Sequence, residues 1–145
     1  MILADADLRS IQEARDLVRR SRKAWEAYKR FDQAKVDRIC QAMAEAGSAA
    51  SEKLARLAVE ESGFGSVAGK YQKNKFCTDL LWESLKDLQT VGVVLRDDAR
   101  RYYQVAEPYG VVLAIVPITN PTSTAMFKIL IACKSRNRLR ICARI

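Results

Sequence analysis

The sequence predicts an α/β fold, built from N-terminal helices, a β-hairpin and one opening βα unit of a parallel sheet. Three observations predict it. The first hundred of the 145 residues contain no proline, whereas Pro108, Pro117 and Pro121 crowd the last third, and helices run freely where no ring interrupts the i→i−4 ladder. Residues 90–106 hold two β-rich runs around a polar turn. The continuous apolar run Val111-Val112-Leu113-Ala114-Ile115-Val116 lies between Gly110 and Pro117 and leads directly to Asn120-Pro121, a helix-start signal.

Over residues 7–30, Leu8, Ile11, Leu17, Val18, Trp25 and Tyr28 recur at helical spacing with basic residues between them. A second helix starts at Asp32, a good N-cap, and carries Val36, Ile39, Cys40 and Met43 to an expected end at Gly47. Ser48 or Ser51 starts a third, with Leu54, Leu57 and Ala58, closed by Gly63 and the Phe64-Gly65 turn. A fourth, longer helix carries Val67, Tyr71, Leu81, Trp82, Leu85 and Leu88. Next, Thr90-Val91-Gly92-Val93-Val94-Leu95 and Tyr102-Tyr103-Gln104-Val105-Ala106 pair around the polar turn 96–100 as a hairpin. A lone hairpin is marginal in water, so it should pack on something or pair with another chain. The 111–116 run fits a strand buried on both faces, and residues 122–134 read as a helix with Met126, Phe127, Ile129, Leu130 and Ile131.

Composition narrows the chemistry. Cys40, Cys77, Cys133 and Cys142 are widely spaced, no C-x-x-C pair exists and histidine is absent. A zinc site, a thioredoxin-like motif and a disulfide framework are therefore not expected, no metal is expected, and a Cys–His nucleophile pair cannot form within these residues. The thiols are expected to be reduced and mostly buried. No apolar run approaches the ~20 residues that span a bilayer. Met1-Ile2-Leu3-Ala4-Asp5 lacks the basic and apolar regions of a secretory signal, so a cytoplasmic location is expected. The net charge of +8 raises nucleic acid as a partner. Yet no nucleic-acid motif is present, and basic residues on an amphipathic helix normally form its solvated face, so that partner is not expected.

In open α/β sheets ligands bind beyond the carboxyl ends of the strands. The loop 117–120 occupies that place, and the helix after it offers unpaired N–H groups to a dinucleotide or a developing oxyanion. Thr119 and Asn120 add short polar side chains. Capping alone also explains Asn120, with Pro117 and Pro121 as helix punctuation. Neither G-x-G-x-x-G nor a Walker A motif occurs.

Several stretches together resemble the coenzyme A-acylating aldehyde dehydrogenases. They are Gln33-Ala34-Lys35-Val36-Asp37-Arg38-Ile39, Ala58-Val59-Glu60-Glu61-Ser62-Gly63-Phe64-Gly65, Lys70 with Lys73-Asn74-Lys75-Phe76, and Ala106-Glu107-Pro108-Tyr109-Gly110-Val111-Val112. The last continues through Ile115-Val116-Pro117-Ile118-Thr119-Asn120-Pro121-Thr122-Ser123-Thr124, Phe127-Lys128 and Lys134-Ser135-Arg136-Asn137. The resemblance implies that residues 1–137 form the N-terminal part of a Rossmann-like NAD-binding domain, with the hairpin in an oligomerisation arm joining identical chains. It implies that Ile115, Val116, Pro117, Ile118, Thr119 and Asn120 touch NAD, and that Thr119 or Asn120 lies near the thioester oxygen. Ile118 replaces a small hydroxyl residue common in the family, so one cofactor contact differs. The implied reaction converts an aldehyde, NAD and coenzyme A to an acyl-CoA and NADH through a cysteine nucleophile. None of the four cysteines here falls in that nucleophile's motif.

Residues 138–145 depart from the family. Arg138-Leu139-Arg140-Ile141-Cys142-Ala143-Arg144-Ile145 reads as a basic tail, at most an edge strand, and a shifted reading frame accounts for it most simply. The nucleophile is then expected beyond residue 145. A single βα unit with its strand bare on both faces is expected to be poorly soluble and inactive alone. Two non-enzymatic alternatives stand beside this: a basic helical module that binds nucleic acid, and a module that joins oligomers of a longer relative.

Overall fold

A computed structural model describes residues 5–143; residues 1–4, read above for a secretory signal, and Arg144 and Ile145 of the tail lie outside it. Helix α1 spans Ala6–Tyr28, and its N-cap Asp5 accepts from the Asp7 amide at 2.8 Å. The first half of its apolar stripe stays about half exposed at Leu8, Ile11 and Val18. Helix α2, Gln33–Ala49, starts as expected, with the Asp32 carboxylate accepting from the Lys35 amide. Its Val36, Cys40 and Ala44 form the buried core with Leu130.

Gly47 does not end that helix. A Cβ there would stand 2.8 Å from Cγ2 of Thr78, so the position is a close crossing at which a side chain would force Thr78 to shift. Helix α3, Ser51–Ser62, follows after Ala50, and Gly63 closes it in the left-handed conformation at φ +67°. The expected long fourth helix is interrupted. Helix α4 (Val67–Lys75) widens into a π turn over Phe76–Leu80 and continues only as α5 (Leu81–Leu85). Thr78, in the π turn, is 1% exposed and sits under Gly47.

The hairpin forms as expected from β1 (Gly92–Asp97) and β2 (Tyr102–Ala106), antiparallel, with a bulge between Val93 and Leu95. Strand β3, Val111–Val116, leads into α6, Pro121–Lys134. The chain then returns as β4, Arg138–Ala143, parallel to β3 in the register Val111↔Arg138 to Val116↔Ala143. A complete βαβ unit thus replaces the isolated βα unit expected from the sequence. Two hydrogen bonds fix its register at the base of the strands. The Gly110 amide donates to Asn137 Oδ1 at 2.9 Å, and the Arg138 amide donates to the Gly110 carbonyl at 2.8 Å.

The expectation of a strand buried on both faces is corrected as well. Ala114 and Val116 are buried toward the helices, while Leu113 and Ile115 are 66% and 64% exposed on the other face. Among the described residues, no helix or strand lies over that face.

Candidate functional site at the carboxyl end of the first parallel strand

Where β3 ends, residues 117–120 make a tight turn in which the Asn120 amide donates to the Pro117 carbonyl at 3.4 Å. Pro121 then opens α6 at its first position. There the missing N–H costs nothing and the fixed φ suits the helix. Of the residues expected to face a cofactor, Pro117, Ile118 and Thr119 are exposed at this rim and Asn120 is half-buried. Ile115 lies exposed on the bare sheet face. Val116 is only 2% exposed and points into the helical core, so its side chain shapes the rim from behind.

The turn rests on one face of α4. Lys70, Lys73 and Asn74 fall at i, i+3 and i+4, which puts them on the same side of a helix. Lys70 Nζ donates to the Thr119 carbonyl at 2.8 Å, and Lys73 Nζ donates to Asn120 Oδ1 at 2.9 Å. Asn74 is fully buried: its Nδ2 donates to the Ser51 carbonyl at 2.9 Å and its Oδ1 accepts from Thr122 Oγ1 at 2.8 Å. Three side chains on one face of α4 therefore hold Thr119 and Asn120 of the turn and Thr122 at the start of α6. Lys70 is 5% exposed. The loop that leads into α4, with Gly65 at φ +74°, passes beside the Lys70 methylenes.

Asn120 holds the N-cap position, but its side chain makes no capping hydrogen bond. Its oxygen, the cap acceptor, is turned to the Lys73 ammonium instead of the helix amides. The first bond of α6 runs instead from the Thr124 amide to the Asn120 carbonyl, at 3.3 Å. Among the described residues, the Thr122 and Ser123 amides have no acceptor, and the Asn120 side-chain NH2 group donates to nothing. These donors converge where a helix end carries partial positive charge, an arrangement suited to a ligand oxygen.

The sequence reading identified the turn but gave Lys70, Lys73 and Asn74 no role. Their i, i+3, i+4 spacing was available as a signal, but nothing in sequence indicates that this face meets residues almost fifty positions later.

Of the thiols, exposed Cys142 stands opposite Ile115 in the β3–β4 register, two residues before the turn, while Cys133 lies at the other end of α6. Cys133 is the thirteenth residue of α6, about 18 Å along the axis from its first. It is half-buried and packed against the core, and Tyr28 Oη stands 2.8 Å from both its sulfur and its carbonyl oxygen. Hydrogen bonds from the Cys40 thiol and from Tyr28 bring the Cys133 thiol down to about 7, against the opposing effect of burial. The Cys40 thiol is pushed up correspondingly by its hydrogen bond to Cys133 and by burial. Among the described residues, no three His, Cys, Asp or Glu side chains gather into a metal site, and no helix is long and apolar enough to cross a membrane.

Residues 2–139 match the model of the aldehyde dehydrogenase family. The chain is 44% identical over 130 residues to the bifunctional aldehyde-alcohol dehydrogenase of Escherichia coli, covering 90% of this chain and 15% of that protein. It is 32% identical over 125 residues to an acetylating succinate-semialdehyde dehydrogenase of Clostridium kluyveri, covering 86% of this chain and 28% of the relative. The crystal structure of an acetylating aldehyde dehydrogenase from Geobacillus thermoglucosidasius superposes with a TM-score of 0.93 at 42% identity, over 98% of this chain and 31% of that one. The match to the family model reaches residue 139, the second residue of β4.

Proposed function

The chain belongs to the aldehyde dehydrogenase family, in its acetylating branch, and from that membership we propose that these residues form the cofactor-facing part of an NAD-dependent oxidoreductase that interconverts an aldehyde and its acyl-CoA. The observation that carries this reading is the 117–120 turn. It lies at the carboxyl end of β3, with the Thr122 and Ser123 amides and the Asn120 NH2 group free of partners. NAD suits that rim: the exposed Pro117, Ile118 and Thr119 offer a surface without bulky side-chain cover, and the free donors suit its oxygens. The bound nucleotide would supply the hydride acceptor. The free donors would also serve the oxygen of the reacting carbonyl, whose charge grows as a thiol adds to it. Asn120 is the better placed of the two expected side chains, since its Oδ1 is held by Lys73 and its NH2 group is left to donate.

The nucleophile would come from outside these residues. Cys133, the thiol lowered toward neutrality, sits at the far end of α6, and no histidine is present to activate another. The bare Leu113 and Ile115 face supports the same view, as the kind of surface that further crossover helices of such a domain cover. The exposed Tyr102 and Tyr103 suit the hairpin to joining identical chains, and the expected compartment is the cytoplasm.

The test is NADH formation from acetaldehyde, NAD and coenzyme A. The full protein that carries these residues is expected to need all three, and the 145-residue chain alone is expected to give no turnover. NADH formation by the full protein without coenzyme A, with a free carboxylic acid as product, would defeat the acylating assignment. Turnover by the short chain would defeat the placement of the nucleophile.

A further inference from the structure

We propose that Lys73 and Lys70 are positioning residues that keep the N-terminus of α6 uncapped for the ligand oxygen. This inference rests on the proposed function for its ligand, but its physical content is independent of it.

An Asn at the N-cap normally turns its oxygen onto the amides of the second or third helical residue, here Thr122 and Ser123. In this chain that oxygen is 2.9 Å from Lys73 Nζ and makes no cap bond. Lys73 therefore has two effects. It leaves the Thr122 and Ser123 amides without an internal acceptor, and it orients the Asn120 amide so that NH2 is the free end. Lys70 fixes the adjoining peptide. Its Nζ holds the Thr119 carbonyl at 2.8 Å. In a trans peptide the C=O and the next N–H point in opposite directions, so the Asn120 N–H is turned back to Pro117, where it is found.

Neither lysine makes an ion pair with a carboxylate among the described residues. Both place positive charge beside a helix N-terminus, where a cation is disfavoured. A pair of lysines serving stability alone would not be put there. Lys70 is buried with a backbone carbonyl as its partner, which fits a role in fixing the turn.

The device can be read without catalysis. Hydrogen exchange at the Thr122 and Ser123 amides is measured by NMR in the full protein that carries these residues and in its Lys73→Met variant. In the variant Asn120 is free to cap, and exchange at one of these amides is expected to slow by roughly 5-fold, the effect of one N-cap. Lys73→Arg, which can still donate to Oδ1, is expected to keep the original rates. In Asn120→Ala, the Lys73 substitution is expected to have no effect on exchange. Unchanged exchange in Lys73→Met, or an equal change in the Asn120→Ala background, would overturn the proposal.

The catalytic consequence is read in the full protein. Lys73→Met is expected to lower kcat by about 10- to 100-fold, within the range set by misplaced groups and lost oxyanion donors, with a smaller change in KM for NAD and with recovery in Lys73→Arg. A wild type that forms no acyl-CoA would defeat the proposed function and leave the exchange result standing. An active wild type whose Lys73→Met variant keeps its kcat would defeat the positioning role.

Discussion

The C-terminal end of α6 is tied down by cations that donate to a carboxylate and to backbone carbonyls, whereas its N-terminal end is held by cations that leave neighbouring donors free. At the C-terminal end Lys134, 2% exposed, donates to Asp37 at 2.5 Å and to the Lys86 carbonyl at 3.2 Å. Arg136 donates to the carbonyls of Lys29 and Ala106, and Asn137 fixes the strand register through Gly110. Positive charge there agrees with the helix dipole. At the N-terminal end Lys70 and Lys73 oppose the dipole and engage the Thr119 carbonyl and the Asn120 side-chain oxygen. The same residue types close one end of a helix and keep the other available. What separates the two ends is where the nearest carboxylates and carbonyls lie.

The largest loss is expected from breaking the closed end. Lys134→Met removes the cation from the Asp37 carboxylate and leaves it only the Gln33 amide as donor, and removing one member of a buried pair costs about 3 kcal/mol or more. Asp37 keeps some contact with water, so the low end of that range applies here. The urea midpoint of the chain reads it, and an unchanged midpoint would show that the closed end does not hold the fold. Asn74→Ala is expected next, at about 2 kcal/mol, because it leaves the Ser51 carbonyl and the Thr122 hydroxyl without their buried partner. Thr122→Val in the same background should then cost little more, since the bond it removes is already gone.

The contrast between the ends was only partly legible in the sequence. The caps Asp32 and Gly63, the hairpin, and the span from Val111 to Lys134 follow from local rules, and the structure agrees because each depends on neighbours in sequence. Three features depend on distant partners. Gly47 looks like a helix end until Thr78 crosses it, and Asn120 looks like a cap until Lys73 takes its oxygen. Arg138 and Arg140 make the last segment look unfit for a sheet, yet it lies at an edge, with Arg138 exposed and Arg140 half-buried. The 117–120 turn was legible as a turn, while the residues that hold it lie on a helix nearly fifty positions earlier.

Gly47 gives a prediction in which two terms of opposite sign compete. Alanine improves helix propensity by about 1 kcal/mol. Its Cβ would also meet Thr78 Cγ2 at 2.8 Å, and Thr78 is a β-branched residue in a buried π turn with no room to yield. Overpacking of this kind costs about 1–3 kcal/mol. Gly47→Ala is therefore expected to destabilise by about 1 kcal/mol net. Thr78→Ser removes the methyl group, so in that background the same substitution should become stabilising. Destabilisation that persists once the methyl is gone would mean that backbone, rather than the Thr78 side chain, sets the crossing distance.

The smallest effect has the opposite sign. If Lys73 only braced the fold, Lys73→Met would lower stability by removing a hydrogen bond. If it withholds a cap, the substitution removes a cation from a helix N-terminus and lets Asn120 cap, contributions of about 0.3–1 kcal/mol and about 1 kcal/mol respectively. They are offset by the lost bond to Oδ1, itself worth about 1 kcal/mol for an exposed lysine. The expected result is a chain as stable as the original or more stable by up to about 1 kcal/mol, read from the urea midpoint, with the open end now capped. The two ends of α6 would then respond in opposite directions to the same lysine-to-methionine change. A clear loss of stability at Lys73 would instead place both lysines in a common structural role, and the distinction between a closed and an open end would fail.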